Sequence, residues 1–342
     1  MVKWVIAVVV AVGLGAVLLG GCSSSESENV LVVYVSVDEP IARPVLMDFQ
    51  KSTGIEVRIK TDAEGTKTAG LATAIEAERD DPRADVYWGN EPFYTINLAE
   101  KGLLQKYESP RAAKIPAMYK DPQGRWAGTA LRVRVMAVSM DWTATRPAAG
   151  DGWPPLGLAD LAAPRLKGRI AMARPSVGTT GGHVAAIFTA LGDDKATQLF
   201  KDLKKNGMVL LGGNSEVAKR VGSGRMLAGL TDNDDVEATL LAGGRLTMVL
   251  PDQDPAGIGT LLVPCTVGMV ANAKHSRNAR HLVDYLLSKE VERRLLEARF
   301  ARYSVFDIEQ QAVKAMKVDY AAVARKLPDA IARTMRIMTA DE

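Results

Sequence analysis

Short apolar runs alternate along the chain with stretches in which apolar residues recur with a helical period. The run 30–35 is continuous, as in a strand buried on both faces, and 40–53 has the period of an amphipathic helix. The same alternation continues through 55–59, 71–79 and 84–88. This order of strand, helix, strand, helix and strand predicts an open, mostly parallel α/β sheet with flanking helices.

The second half of the chain is organised around the stretch 174–188, where a predicted strand turns directly into a predicted helix. The turn contains Ser176, Thr179 and Thr180 among several glycines. A helix N-terminus presents unpaired backbone N–H groups and the positive end of the helix dipole. The turn therefore predicts a site for phosphate, phosphonate, carboxylate or carbonate. An ordinary strand-to-helix turn with a threonine cap is the alternative.

Polar residues also stand where the strands of the first half end. In open parallel sheets, ligands bind beyond the carboxyl ends of the strands. The residues of the first half that we expect at this crevice are Tyr34, Ser36, Glu64, Asn90 and Glu91. Arg132, on the strand-like stretch 126–138, is a further candidate for contact with an anion.

An acidic cluster follows the predicted strand 225–230. It consists of Asp232, Asp234 and Asp235. Crowded carboxylates repel one another and need a cation nearby, so the cluster predicts a cationic partner. Acidic residues in the first turn of a helix are the alternative interpretation. We expect Thr179, Thr180 and Asp232 to share one cleft.

A cleft of both signs suits a ligand of both signs, and two such ligands fit the residues. One is a small zwitterion, such as an aminoalkylphosphonate or an amino acid, with its acid group on Thr179 and Thr180 and its ammonium on Asp232 or Asp234. The other is a metal ion with a bound anion, held by Asp232, Asp234 and Glu91. Carboxylate oxygens alone suit Fe(III), Mn(II) or Ca(II) more than zinc.

The N-terminus predicts export and a lipid anchor. Lys3 precedes an apolar run over 5–19 that is short for a membrane span, and Gly20 and Gly21 precede Cys22. This pattern resembles a bacterial lipoprotein signal, with 1–21 as the signal peptide, Cys22 as the lipidated residue and 22–29 as a tether. We expect the protein to be extracytoplasmic and held at a membrane surface. Cys265 would then have no cysteine partner within the chain.

Composition narrows the classes of function. The chain of 342 residues is 47% hydrophobic and 24% charged, with a net charge of +3, which is ordinary for a globular protein and gives no sign of a nucleic-acid partner. The sequence has no Gly-x-Ser-x-Gly, His-Glu-x-x-His or Walker pattern. We therefore expect a monomeric binding protein; an enzyme on the same fold is the remaining alternative.

Several segments together resemble the extracellular solute-binding proteins of ABC importers, and within them the ferric-iron-binding branch. The segments that carry the resemblance are 32–36, 49–57, 84–91, 98–104, 166–171, 178–181, 229–232 and 284–288. The resemblance implies the type II periplasmic binding fold, with two α/β lobes joined by two crossover segments. Lobe 1 would comprise 30–128 plus 257–342, and lobe 2 would comprise 129–256.

The same resemblance implies how the protein works. The ligand would lie between the lobes, which close on it about a hinge and deliver it to an ABC transporter permease. No cofactor is implied, and ferric iron or an iron–anion complex would be the transported ligand.

The chain departs from the ferric branch at one point. Ferric binders generally hold iron with two neighbouring tyrosines after the strand that here ends at Leu230. This chain has Thr-Asp-Asn-Asp-Asp over 231–235, and no adjacent tyrosine pair anywhere. Tyr34 matches a first-lobe tyrosine of the branch. The zwitterion therefore stays open beside iron.

Overall fold

The computed structural model describes residues 29–62, 68–141, 154–176 and 178–340. The predicted signal peptide, Cys22 and Glu64 lie outside the described residues. The strands are β1 (Val30–Val35), β2 (Glu56–Thr61), β3 (Val86–Gly89), β4 (Leu104–Gln105), β5 (Ala127–Ser139), β6 (Ile170–Ala173), β7 (Val209–Leu211), β8 (Ala228–Asp232), β9 (Leu246–Val249) and β10 (Leu262–Val270).

Helices connect and cover these strands. They are α1 (Glu39–Thr53), α2 (Ala69–Ala77), α3 (Phe93–Glu100), α4 (Gly178–Leu191), α5 (Asp193–Lys205), α6 (Asn214–Gly222), α7 (Asn233–Leu241), α8 (Ser276–Leu286), α9 (Lys289–Glu297) and α10 (Tyr320–Thr339). Short 3₁₀ turns lie at Pro110–Lys114, Ala117–Tyr119, Leu158–Ala162, Pro164–Leu166 and Ile308–Gln310. Within the described part of the chain, no helix combines the length and apolar character needed to cross a bilayer.

The strands form one mixed sheet in the order β2-β1-β3-β10-β5-β8-β6-β7, with β4 beside β10 and β9 beside β5. Two sets of parallel strands, β2-β1-β3 and β8-β6-β7, are the parallel units that the apolar runs predict. Between them run β5 and β10, antiparallel to each other. The sheet is mixed because these two long strands join the two parallel units.

Strand β5 changes its pairing partner at its middle, and this change determines where the candidate site lies. Its first half pairs with β10 up to Val133, and its second half pairs with β8 from Arg134 onward. Every residue of β5 is buried. Arg132 and Arg134 share one face of the strand, because side chains alternate. Both arginines therefore lie where the two halves of the sheet meet.

Helix α10 packs against α3, α4 and α5. It contacts elements of both halves, and β5 passes through residue 129 without a break. The division into lobes at 128/129 and 256/257 stays a prediction.

Candidate ligand-binding site

A cavity of about 390 Å³ lies where the strands of both parallel units end. This volume suits a small ligand. The residues that line it are Asp38, Asn90, Arg132, Ala173, Gly178, Thr179, Gly212, Gly213, Asn214, Ser215, Glu216, Asp232, Asp234 and Asp235. Apart from Arg132, which lies within β5, they end or follow β1, β3, β6, β7 and β8. The cavity therefore lies at the carboxyl ends of the strands, where open α/β sheets bind ligands.

Two helices begin at one wall of the cavity. Helix α4 starts at Gly178, and α6 starts at Asn214 after Gly213, which has no side chain to cap it. The first backbone N–H groups of a helix lack partners within the helix, and they carry the positive end of its dipole. This wall is suited to an anionic group such as phosphate, phosphonate or carboxylate.

Asp232 is held by donors from four other residues. Arg134 Nη1 donates to it at 2.7 Å, Arg132 Nη2 and Asn214 Nδ2 each donate at 3.0 Å, and the Thr179 hydroxyl donates as well. Burial by itself would raise the pKa of Asp232, but Arg134 and Arg132, together with the Thr179 hydrogen bond, lower it to about 2. The carboxylate stays ionised, and its role is to hold both arginines in place.

Arg132 joins Asp232 to Asp234. Its Nη2 lies 2.7 and 2.8 Å from the two carboxylate oxygens of Asp234. Its Nη1 donates to the Asn90 carbonyl at 3.3 Å, and its guanidinium carbon lies 4.9 Å from the centre of the Phe300 ring. The prediction that Arg132 contacts an anion directly stays untested, since in this structure the guanidinium binds the acidic cluster.

The acids at the other wall are crowded. Burial, together with the charges of Asp232 and Asp38, raises the pKa of Asp234 despite Arg132. Burial raises the pKa of Asp235 further, helped by the charges of Asp234 and Asp232. Within the described residues, no lysine or arginine forms an ion pair with Asp235, whose carboxyl accepts a long 3.5 Å hydrogen bond from Thr231. A positive group at this wall would relieve the repulsion.

The acidic cluster lies at the N-terminus of helix α7, and Asp234 and Asp235 occupy its first turn, as the alternative interpretation expects. Asp232 occupies the N-cap position of α7, but its side chain makes no capping hydrogen bond. Carboxylate oxygens of Asp232, Asp234 and Asp235 lie within 4.8 Å of one another. This all-oxygen set has the chemistry of a site for a hard metal ion.

The remaining candidates of the second half differ in position. Thr179 lines the cavity, whereas Thr180 does not line it and donates to Asn214 Oδ1 at 3.0 Å. Ser176 is exposed and is not among the lining residues. The structure therefore brings Thr179, Thr180 and Asp232 together, with Asn214 between them.

The site residues predicted in the first half of the chain mostly form hydrogen bonds within the fold and do not line the cavity. Tyr34 donates to Glu78 at 2.8 Å and accepts from Lys60 at 3.0 Å, away from the cavity. Ser36 accepts from the backbone N–H of Asn90 at 3.1 Å, and so holds Asn90 at the cavity wall.

Glu91 caps helix α3 and does not line the cavity. It accepts from the N–H of Phe93 at 2.7 Å and from that of Tyr94 at 3.1 Å. Burial raises the pKa of Glu91 to about 7, although these two hydrogen bonds and the charge of Arg132 oppose the shift. Glu91 is therefore placed as a capping residue, apart from Asp232 and Asp234.

Asn214 is a site residue that the sequence patterns did not predict; it contacts Thr179, Thr180, Asp232 and Arg134. The available signal was the segment 209–214, which repeats the central pattern of strand, glycines, polar residue and helix. Arg134 and His183, which do not line the cavity, contact each other next to Asp232.

The fold and the cavity at its strand ends are those of a ligand-binding protein. Residues 31–300 match the family model of the bacterial extracellular solute-binding proteins, and the chain belongs to that family. The sequence is 24% identical to the Fe(3+)-binding periplasmic protein of Serratia marcescens over 291 residues, which cover 83% of this chain and 81% of the relative. The predicted resemblance to solute-binding proteins similar to the ferric branch is confirmed.

Two further relatives have other ligands in their names. A Salmonella typhimurium periplasmic protein, proposed to bind 2-aminoethylphosphonate, is 25% identical over 251 residues, covering 73% of this chain and 69% of the relative. The structure of the periplasmic binding protein AfuA from Actinobacillus pleuropneumoniae, with fructose-6-phosphate bound, matches with a TM-score of 0.76 at 22% identity over 91% of this chain and 99% of AfuA. The predicted α/β fold of the type II periplasmic binding proteins is confirmed.

Proposed function

We propose that this protein is the solute-binding component of an ABC importer and that its ligand is a small zwitterion with a phosphonate, phosphate or carboxylate group at one end and an ammonium group at the other. The acid group binds the N-termini of α4 and α6, beside Thr179 and Asn214. The ammonium group binds between Asp234 and Asp235. The protein holds this solute for a permease and catalyses no reaction on it.

The observation that carries the proposal is that the cavity has two walls of opposite character. Helix N-termini at Gly178 and Asn214 form one wall, and the crowded carboxyl groups of Asp38, Asp234 and Asp235 form the other. A phosphonate gains from the first wall, and an ammonium relieves the repulsion at the second. An anion without a positive group, such as phosphate, would interact favourably with the first wall only.

The net charge of the residues that line the cavity favours a ligand that carries a positively charged group over a ligand that lacks one. Among the described residues that line the cavity, five are acidic and Arg132 is the only basic one. Arg132 and Arg134 form ion pairs with Asp232 and Asp234, and Arg220 pairs with Glu216. Asp235 is then the carboxyl group best placed to receive an ammonium.

The relatives support this choice. The proposed ligand of the Salmonella relative, 2-aminoethylphosphonate, has both required groups, and the AfuA ligand carries a phosphate. Both relatives match most of this chain. The shared chemistry is an anionic phosphorus group, which is the group that the wall of α4 and α6 suits.

Ferric iron is the second candidate. The carboxylate oxygens of Asp232, Asp234 and Asp235 lie within 4.8 Å of one another, and the Serratia relative is named as a binder of Fe(3+). Iron binding here would use carboxylates in place of the neighbouring tyrosines of the ferric branch.

The location of the protein in the cell envelope is part of the proposal. A lipid on Cys22 and a short tether would hold the folded part at the outer side of a membrane, beside the permease. Labelling cells with a palmitate analogue tests this: the wild type takes up the label, and Cys22→Ala does not. Label retained in Cys22→Ala contradicts the anchor.

A thermal-shift screen of the full chain, purified in mild detergent, tests the ligand class. A ligand that binds only the folded state raises the unfolding midpoint through mass action. We expect a clear rise with 2-aminoethylphosphonate, and little or none with ethylphosphonate or ethylamine, each of which lacks one of the two groups. A rise with Fe(III) citrate, and none with any zwitterion, would replace the first candidate by the second.

A further inference from the structure

We propose that Arg132 determines the charge class of the ligand: its guanidinium group occupies the place in the acidic cluster that a metal ion would take, so the site accepts a single ammonium group and rejects multivalent metal ions. This inference rests on the proposed function, because it assumes that the cavity is the ligand site. It concerns a specificity-determining residue and selects between the two ligand candidates.

The position of Nη2 of Arg132 carries the argument. This nitrogen lies 3.0 Å from an oxygen of Asp232, and 2.7 and 2.8 Å from the two oxygens of Asp234. Hard metal ions bind carboxylate oxygens at about 2.0–2.6 Å. An ion held by Asp232 and Asp234 together would need the space between them, which Nη2 fills.

Arg132 has no easy way to leave this space. Its side chain is 4% exposed, and it is held by the Asn90 carbonyl at 3.3 Å and by the face of the Phe300 ring. An arginine keeps its proton in proteins, so pH does not remove the charge. An incoming Fe(III) or Mn(II) ion would meet a fixed positive charge among the very oxygens it needs, where solvent screens little.

An ammonium group does not need that space. Asp38, Asp232, Asp234 and Asp235 bring four carboxyl groups to this side of the cavity, and Arg132 and Arg134 bring two guanidinium groups, so the acids remain in excess. Asp235, which forms no ion pair with a described lysine or arginine, faces the cavity beside Asp234. One ammonium there contacts a carboxylate without displacing Nη2 of Arg132, whereas a metal ion shared by Asp232 and Asp234 would have to displace it.

The test removes the charge and keeps a polar side chain. We would compare the wild type, Arg132→Gln and the charge-preserving control Arg132→Lys, each as the full chain in mild detergent. Calorimetric titration with Mn(II) and luminescence of Tb(III) give the metal affinities. We expect the affinity of Arg132→Gln for both ions to be at least about tenfold above that of the wild type and of Arg132→Lys. The double variant Arg132→Gln/Asp235→Asn should lose this gain.

Circular dichroism checks that Arg132→Gln is folded, and the wild type supplies a test that needs no variant to fold. Micromolar binding of Mn(II) or Tb(III) by the wild type, abolished by Asp235→Asn, would overturn the proposal. So would a folded Arg132→Gln that gains no metal affinity while the wild type binds 2-aminoethylphosphonate, and then the proposed function would stand. Metal gain in Arg132→Gln with no zwitterion binding by the wild type would support the role of Arg132 and contradict the proposed function.

Discussion

The Nε of Arg134 lies 3.3 Å from Nδ1 of His183, and both side chains are buried. Because Nε of arginine is a donor, Nδ1 is the acceptor and the ring carries its proton on Nε2. Burial, followed by the charge of Arg134, lowers the pKa of His183 well below its usual value, so the ring stays neutral. His183 therefore orients Arg134, whose Nη1 in turn reaches Asp232 at 2.7 Å.

His183 is thus a positioning residue behind the site, and its acceptor atom is what matters. His183→Leu should weaken 2-aminoethylphosphonate binding roughly tenfold, because Arg134 loses its anchor and Asp232 loses its alignment. His183→Asn provides an acceptor near the same place and should retain most of the affinity. Titration calorimetry measures both variants, and equal losses in the two would contradict this role.

Asp235 should strengthen ligand binding and should not stabilise the folded state. Its pKa is raised by burial and by Asp234 and Asp232, so ionised Asp235 costs the folded state free energy at neutral pH. Asp235→Asn should therefore leave the unfolding midpoint unchanged or higher, while affinity for a zwitterion falls at least about tenfold. Glu237→Gln, on the same helix and outside the cavity, is the control. If Asp235→Asn binds the zwitterion with full affinity, the ammonium group does not bind at this wall, and the proposal is contradicted.

Glu91 should make stability depend on pH. Burial beneath α3 raises the pKa of Glu91 in the folded state from its usual 4.5 to about 7. Between these values the unfolded chain has lost a proton that the folded chain keeps, so stability falls as pH rises, by up to about 1.4 kcal/mol per pH unit. Arg132, Tyr87 and Tyr94 are the ionisable neighbours that share this environment.

Urea unfolding from pH 4.5 to pH 8 measures this slope, and Glu91→Gln should flatten it. The glutamine keeps one acceptor for the N-terminus of α3, so the variant should still fold. An identical slope in wild type and variant would show that Glu91 is not responsible.

Gly182 allows α4 to approach α3. A Cβ at Gly182 would overlap the ring of Phe93, the first residue of α3. Gly182→Ala should therefore destabilise the protein by about 1–3 kcal/mol through overpacking. Phe93→Leu in the same chain should recover part of that loss, as a double-mutant cycle of urea unfolding would show. Strictly additive losses would mean that the two residues do not share this contact.

Local patterns were enough to predict most strands, most helices and the edge of the sheet where the site lies. The runs at 30–35 and 84–88 became β1 and β3, and the central stretch became β6 and α4, because burial and helical period act over a few residues. The pairing of Thr179 with Asp232 followed from the same rule about strand ends.

The partners of the two arginines depended on long-range pairing. Alternation placed Arg132 and Arg134 on one face of a strand, but only the antiparallel register of β5 against β8 sets Arg134 opposite Asp232. Similarly, nothing local to Tyr34 or Glu91 shows whether a polar group at a strand end meets the cavity, a neighbouring side chain or a helix N-terminus. Tyr34 meets Glu78, and Glu91 meets α3.

The crystal structure of the complex with 2-aminoethylphosphonate is the most direct test of the two-walled site. We expect the phosphonate oxygens within about 3 Å of backbone N–H groups at the starts of α4 and α6, and the nitrogen within about 3 Å of a carboxylate oxygen of Asp234 or Asp235. Arg132 should still contact Asp232 and Asp234. A ligand bound in the reverse direction, or a metal ion between Asp232 and Asp234 with Arg132 displaced, would contradict it.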